Sequence, residues 1–121
     1  MSKLALVVED QAEIRELIRV TLEMGGFEVS EAPDGQAAMS MTERTMFDLV
    51  LLDVMMPGPI NGLGVCERIK KDRRHRRTKV VMLSARGQSA DVEAGRVAGA
   101  DRYLTKPFSP RELLSVVSGV M

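Results

Sequence analysis

Tryptophan is absent from the 121 residues; tyrosine, histidine and cysteine occur once each, and phenylalanine three times. The single cysteine, Cys66, excludes an internal disulfide framework and reads as a small packed residue. The lone His75 stands in a polar run without the cysteine pattern of a zinc site, and the expectation is a solvent-facing side chain. No apolar run approaches the roughly 20 residues that a bilayer crossing needs. The apolar start, Leu4 to Val8, runs straight into Glu9-Asp10, too short a segment for a secretory signal. Net charge is missing too, since 17 Lys plus Arg balance 17 Asp plus Glu. With 45% hydrophobic and 28% charged residues, the composition fits neither a disordered nor a membrane-spanning chain. The expectation is one soluble, cytoplasmic domain covering residues 1–121.

The neutral total conceals two opposed regions. Residues 68–79 hold eight basic side chains and one acid, a formal +7, and the rest of the chain carries −7. A basic run invites a nucleic-acid reading, but no aromatics are interleaved with it. A solvated loop between the third helix and the fourth strand is the plainer expectation, with a partner-docking role left open. Direct nucleic-acid binding is therefore not expected.

Strand-like and helix-like segments alternate five times. Leu4 to Val8 has strand length, and Asp10-Gln11-Ala12-Glu13 has the spacing of a capping box. Ile14, Leu17, Ile18, Thr21 and Leu22 then recur on one helical face, and Gly25-Gly26 stops the helix. Phe27 to Ala32 is a second strand, followed by a helix from Asp34-Gly35 with Ala37, Ala38, Met41 and Met46 as apolar positions. Phe47 to Leu52 is a third strand closed by Asp53, and Pro57-Gly58-Pro59 forces a loop. Gly64 to Lys71 is a helix with Val65, Cys66 and Ile69 inward; Val80 to Leu83 is a strand ending at Ser84. Ser89 to Ala98 forms a helix with Val92 and Val97, and Asp101 to Leu104 a fifth strand. Ser109-Pro110-Arg111-Glu112 opens the last helix as a capping box with proline at its first turn. Met39, Met41, Met46 and Met82 read as core filler.

Near-continuous apolar strands between amphipathic helices imply a parallel sheet covered on both faces, a doubly wound α/β fold. In such sheets ligands bind beyond the carboxyl ends of the strands. Glu9-Asp10 end the first strand, Asp53 the third and Ser84 the fourth, and Lys106 follows the fifth. Carboxylates brought so close repel one another unless a cation joins them, and Mg²⁺ suits one or two carboxylates, waters and a phosphate oxygen. One carboxylate could then act as nucleophile towards a phosphoryl group, with Lys106 neutralising charge.

Val7-Val8-Glu9-Asp10, Leu51 to Pro57, Leu83-Ser84-Ala85 and Tyr103 to Phe108 resemble the receiver domain of two-component response regulators. The resemblance covers essentially the whole chain and implies a five-stranded, flavodoxin-like (βα)5 fold. It makes Asp53 the phosphoacceptor, fed by a histidine kinase or a histidine phosphotransfer protein. Asp10, Asp53 and the main-chain carbonyl of Met55 would hold Mg²⁺, with Glu9 acting through a bound water. Lys106 would pair with the phosphoryl group and Ser84 would donate a hydrogen bond to it. Tyr103 matches an aromatic switch position, the Lys106-Pro107 bond is expected to be cis, and the fourth helix, fifth strand and fifth helix would face an output partner. Five βα units account for almost all 121 residues, which leaves no output module in this stretch.

Three departures stand out. The family's glycine eight residues after the phosphoacceptor is Asn61 here, and the glycine follows at Gly62, so the loop 57–62 carries one extra residue. Arg102 stands where many transcription-factor receivers have an acid. Met55 and Arg86 occupy the variable positions beside the site. Three other classes compare less well. A flavin module would need a hydroxyl- and glycine-rich loop after the first strand, where Glu9-Asp10 stand. An aspartate-nucleophile phosphohydrolase would carry a second acid where Met55 is, so at most slow self-dephosphorylation is expected. A receiver that binds partners without phosphorylation would not require the full residue set.

Overall fold

Strands and helices alternate strictly along the chain: β1 Lys3–Val8, α1 Ala12–Met24, β2 Phe27–Ala32, α2 Gly35–Arg44, β3 Leu49–Asp53, α3 Gly62–Lys71, β4 Lys79–Ala85, α4 Ser89–Ala98, β5 Arg102–Lys106 and α5 Pro110–Val120. A 3₁₀ turn, Arg73–His75, precedes β4. The computed structural model describes residues 2–85 and 89–121, so Arg86 lies outside the described residues. All strand pairs are parallel, in the order β2-β1-β3-β4-β5. The direction of winding reverses between β1 and β3, which opens a crevice beyond their carboxyl ends.

Alternation along each strand divides the core in two. Leu6, Val8, Val50, Leu52, Val80 and Met82 face one side, where Ala38, Val65, Cys66, Ile69 and Ala98 from α2, α3 and α4 cover them. Ala5, Val7, Leu49, Leu51, Val81 and Leu83 face the other, against Ile18 and Leu22 of α1 and Leu113 and Val117 of α5. Both faces are therefore apolar, which is why β3 reads as an unbroken hydrophobic run. The doubly wound five-stranded fold is as the sequence pattern predicts.

Several local expectations are corrected. Asp10 does not cap α1: Gln11 is the N-cap residue and makes no side-chain capping bond. β1 ends at Val8, and just beyond it the Glu9 amide donates to the Ala32 carbonyl at 3.1 Å. Asp10 is thereby left in the crossing segment. Leu17 belongs to the predicted inner face of α1 but is 44% exposed. Gly25-Gly26 does end α1 as expected, with Gly26 in the left-handed conformation (φ +93).

β3 begins at Leu49, not Phe47, because Asp48 serves as a junction. Its carboxylate accepts from the Leu4 amide at 2.8 Å, and its carbonyl accepts from the Lys79 amide at 2.9 Å. α3 starts two residues earlier than its apolar pattern, at Gly62, with the Asn61 side chain accepting from the Gly64 amide. Met46 lies beyond α2 and is 52% exposed, so it is not core filler. Val92 and Val97 are exposed on α4. The capping box at Ser109 and Glu112 forms as expected, with both reciprocal bonds present.

His75 contradicts its predicted solvent-facing role and is buried. The 3₁₀ turn folds the imidazole inward while its arginine neighbours remain outside. The basic stretch keeps its arginines in solvent between α3 and β4 as expected, but its backbone is a helix end and a 3₁₀ turn rather than an irregular loop.

Candidate functional site

Parallel register brings four charged side chains to one edge of the sheet. Glu9 follows β1 and Asp53 ends β3, while Lys106 ends β5 and reaches back across the crevice. The Lys106 ammonium donates to Glu9 Oε1 at 2.6 Å and to Asp53 Oδ2 at 3.0 Å. Carboxylate oxygens of Glu9, Asp10 and Asp53 all lie within 4.8 Å of one another. Glu9 is fully buried, Asp53 is buried and Asp10 is exposed.

The other oxygens of the two buried acids are held by backbone. Asp53 Oδ1 accepts from the Met55 amide at 3.1 Å, and Glu9 Oε2 accepts from the Gln11 amide at 3.2 Å. Burial pushes the Glu9 carboxyl up to about 7; the hydrogen bonds from Lys106 and the Gln11 amide oppose this, and Asp10 and Asp53 add to it. Burial also works against the Lys106 charge, but its hydrogen bonds to Glu9 and Asp53 outweigh that, and its pKa rises. Among the described residues, one ammonium stands against three carboxylates, which leaves an excess of negative charge in a half-enclosed space. Hard oxygen donors in such a group fit a small divalent cation better than a soft one.

Ser84 is buried on β4, one residue beyond Leu83, the register partner of Asp53. The Lys106-Pro107 peptide is cis, as expected. Met55 is 68% exposed at the mouth of the crevice. Tyr103 lies elsewhere: it pairs with Met82, packs against the core covered by α2, α3 and α4, and touches α4. A Cβ added at Gly95 would come within 2.6 Å of Tyr103 Cε1 and 2.9 Å of its hydroxyl oxygen. The Tyr103 hydroxyl is buried and has no hydrogen-bond partner among the described residues.

Two contributors escaped the sequence reading. Arg15 Nη1 donates to the Glu9 carbonyl at 2.9 Å and so ties α1 to the end of β1. A lone arginine on a polar helix face carries no signal of that kind. Gly62 was noticed only as a displaced family glycine. In the structure its Cα hydrogens face Asp53: a Cβ there would stand 1.9 Å from the Asp53 carbonyl oxygen. The Gly62 amide also donates to the Val54 carbonyl at 3.2 Å. Ahead of Gly62 in this loop, Gly58 takes a positive φ of 102°.

A family model described as the response regulator receiver domain matches residues 5–118. The chain belongs to that family. Among curated proteins, this receiver is 43% identical over 121 residues to the phosphate regulon transcriptional regulatory protein PhoB of Escherichia coli, covering all of this chain and 52% of that protein. It is 41% identical over 116 residues to the transcriptional regulatory protein ResD of Bacillus subtilis, covering 96% of this chain and 47% of the other. The receiver thus spans about half the length of the curated relatives it matches. Among solved structures, a putative response regulator from Chloroflexus aurantiacus superposes with a TM-score of 0.94 at 32% identity, covering 99% of this chain and 98% of that one. The chemotaxis response regulator CheY4 of Vibrio cholerae gives 0.92 at 29% identity over the whole of both chains. Receiver domains of this family belong to the response regulators of two-component systems. Among the described residues, no helix is long and apolar enough to cross a membrane.

Proposed function

We propose that residues 1–121 act as one receiver unit in which Asp53 accepts a phosphoryl group from a phosphohistidine on a histidine kinase or a histidine phosphotransfer protein. The observation that carries this reading is the ammonium of Lys106 held between Glu9 and Asp53 at 2.6 and 3.0 Å. An acceptor carboxylate needs one oxygen oriented and a cation beside it that can follow charge onto the incoming group. The Met55 amide orients Asp53 Oδ1, and Lys106 supplies the cation.

An Asp53 oxygen attacks phosphorus as the P–N bond of the phosphohistidine breaks. The bonding pair stays on the imidazole nitrogen, which takes a proton from solvent. Asp10, Asp53 and the Met55 main-chain carbonyl would hold Mg²⁺, with Glu9 acting through water; the bound ion would screen the charge of the transferring group. The acidic trio and its oxygen chemistry support that choice of metal. Ser84 donates a hydrogen bond to the phosphoryl oxygens, and Lys106 pairs with them.

The phosphoryl group carries a charge of about −2 where the free carboxylate carried about −1, and the added negative charge draws Ser84 and Lys106 towards Asp53. Ser84 sits on the strand that pairs with Tyr103, so its movement alters the space around that ring. The surface of α4, β5 and α5 then shifts between two populations, and an output partner reads the difference. Exposed Val92 and Val97 on α4 give that surface an apolar component. Residues that would permit phosphorylation are all present, which disfavours a purely phosphorylation-independent module.

Incubation with Mg²⁺ and a small-molecule phosphodonor, followed by intact mass spectrometry, tests the proposal. The expected product is a mass gain of about 80 Da, one phosphoryl group, that disappears in Asp53→Ala. No adduct on the wild type, or an undiminished adduct on Asp53→Ala, would overturn it.

A further inference from the structure

The strongest feature outside the acidic crevice is the basic turn between α3 and β4. Its backbone is anchored on every side. His75 is only 3% exposed, with its Nε2 atom 3.9 Å from Asp72 Oδ2. The Asp72 carboxylate accepts from the Arg74 amide at 2.9 Å and pairs with the Arg74 guanidinium at 2.7 Å. Thr78 donates its hydroxyl to the Phe47 carbonyl at 2.6 Å. Lys70 donates to the Thr78 carbonyl at 2.9 Å and pairs with Asp101 at 2.6 Å.

On this rigid support, Arg68, Arg73, Arg76 and Arg77 are exposed, and none makes an ion pair or a side-chain hydrogen bond among the described residues. Arg15, Arg19 and Arg96 are tied to glutamates, whereas Arg44, Arg102 and Arg111, which have no such partner among the described residues, stand on three different elements and form no cluster. A cluster of like charges is normally relieved by neighbouring acids. Here the neighbours Glu67 and Asp72 are already engaged by Lys71 and Arg74.

We infer that the turn Arg73–Arg77, with Arg68 beside it, is a docking surface for a short acidic segment of a partner protein. Guanidinium groups present a planar fork that matches carboxylates in pairs, and a pre-ordered backbone reduces the entropy lost on binding. Nucleic acid fits less well. Single strands want aromatic platforms, and the two aromatics nearest in sequence to the turn are the buried Phe47 and the half-buried Tyr103. A duplex would extend past the turn, and the chain outside residues 68–79 carries a formal −7. A short acidic segment meets only the turn, because charges beyond about 8–10 Å are screened at physiological ionic strength.

The position has a consequence for partners. The turn lies at the amino end of β4, while the acidic crevice lies at the carboxyl ends of the strands. A segment held there leaves Asp53 open. The inference therefore does not rest on the phosphoryl chemistry proposed above.

The test measures fluorescence anisotropy of a labelled oligoglutamate peptide and of a DNA duplex of matched charge, at about 0.15 M ionic strength. The triple variant Arg73→Gln, Arg76→Gln, Arg77→Gln is compared with Lys3→Gln, Arg102→Gln, Arg111→Gln, which removes equal charge from exposed sites elsewhere. The expected result is saturable peptide binding that the turn variant weakens roughly tenfold and the control variant leaves within about twofold. No peptide binding, or equal losses in both variants, overturns the inference. Tighter binding of the duplex, lost with the same three arginines, also overturns it and assigns the turn to nucleic acid. Circular dichroism checks folding, and Arg76→Gln and Arg77→Gln singly read the same loss in smaller steps.

Discussion

Glu9 has no exposed surface, yet it shares a crevice with two other carboxylates and a single ammonium. Burial alone raises the energy of its charged form, and the neighbouring acids raise it further. Such a group persists in a fold only where its energy is repaid by function, because a packed apolar side chain would cost less there. A divalent cation should relieve the repulsion, and a ligand that binds only the folded state stabilises it by mass action. Mg²⁺ at about 100 times its dissociation constant should add about 2.7 kcal/mol of stability to the wild type. The gain is expected to vanish in Asp10→Asn, whose exposed side chain is free of any core packing role. Thermal melts with and without Mg²⁺ measure it; an equal rise in both proteins would remove Asp10 from the metal site. The acids themselves were legible as strand-end residues. That Glu9 would be buried and Asp10 exposed was not, since adjacent residues differ only in which way the chain leaves the sheet. His75 makes the same point: its neighbours in sequence are charged, and its burial depends on a turn that packs against α3.

At the level of elements, the loop from β3 to α3 decides the shape of the crevice floor. Sequence comparison suggested an insertion because the glycine came one residue late. The structure gives the physical requirement behind that glycine, which is the close approach of Gly62 to the Asp53 carbonyl. Ahead of Gly62 the chain turns through Gly58 at positive φ, and Asn61 caps α3. Gly62→Ala must push backbone against backbone, and a loss of about 3 kcal/mol is expected. Gly64→Ala is a matched control: its Cβ would stand 3.3 Å from the Ile60 Cγ2 atom, a side chain that can yield, and alanine favours the helix. It should stay within about 1 kcal/mol of the wild type. Denaturant midpoints of the two variants check the pair, and equal stabilities would show that the Gly62 approach is not a constraint. Helix periodicity, which placed α1 and α5 correctly, cannot see this contact, because it joins residues from different elements.

Across the whole molecule, two apolar cores share one sheet. Leu51 and Leu52 are consecutive in β3 but lie in different cores, Leu51 under α1 and α5 and Leu52 under α2, α3 and α4. Each is fully buried, so truncation to alanine should cost about 2–5 kcal/mol in either case. Because the sheet joins the cores, both variants should still unfold in one transition. Tyr103, the single tyrosine in a chain without tryptophan, supplies a local fluorescence probe near α4. Its unfolding curve should coincide with far-ultraviolet circular dichroism in Leu51→Ala and in Leu52→Ala. A separate Tyr103 transition in either variant would mean that the two layers unfold independently.

Pattern and order along the chain determined the sheet and its helices, together with the set of polar residues at the strand ends. Apolar runs of strand length and helical periodicity are local properties, and local properties are written in the residue order. Which of those polar residues would be buried, which cation would bridge which acids and which glycine had to touch Asp53 were decided by tertiary structure. The reason is physical: burial and pairing depend on side chains from distant strands arriving at one place. The outward turn of Leu17 and Val97 and the inward turn of His75 have the same origin, since a side chain is inside only where another element covers it.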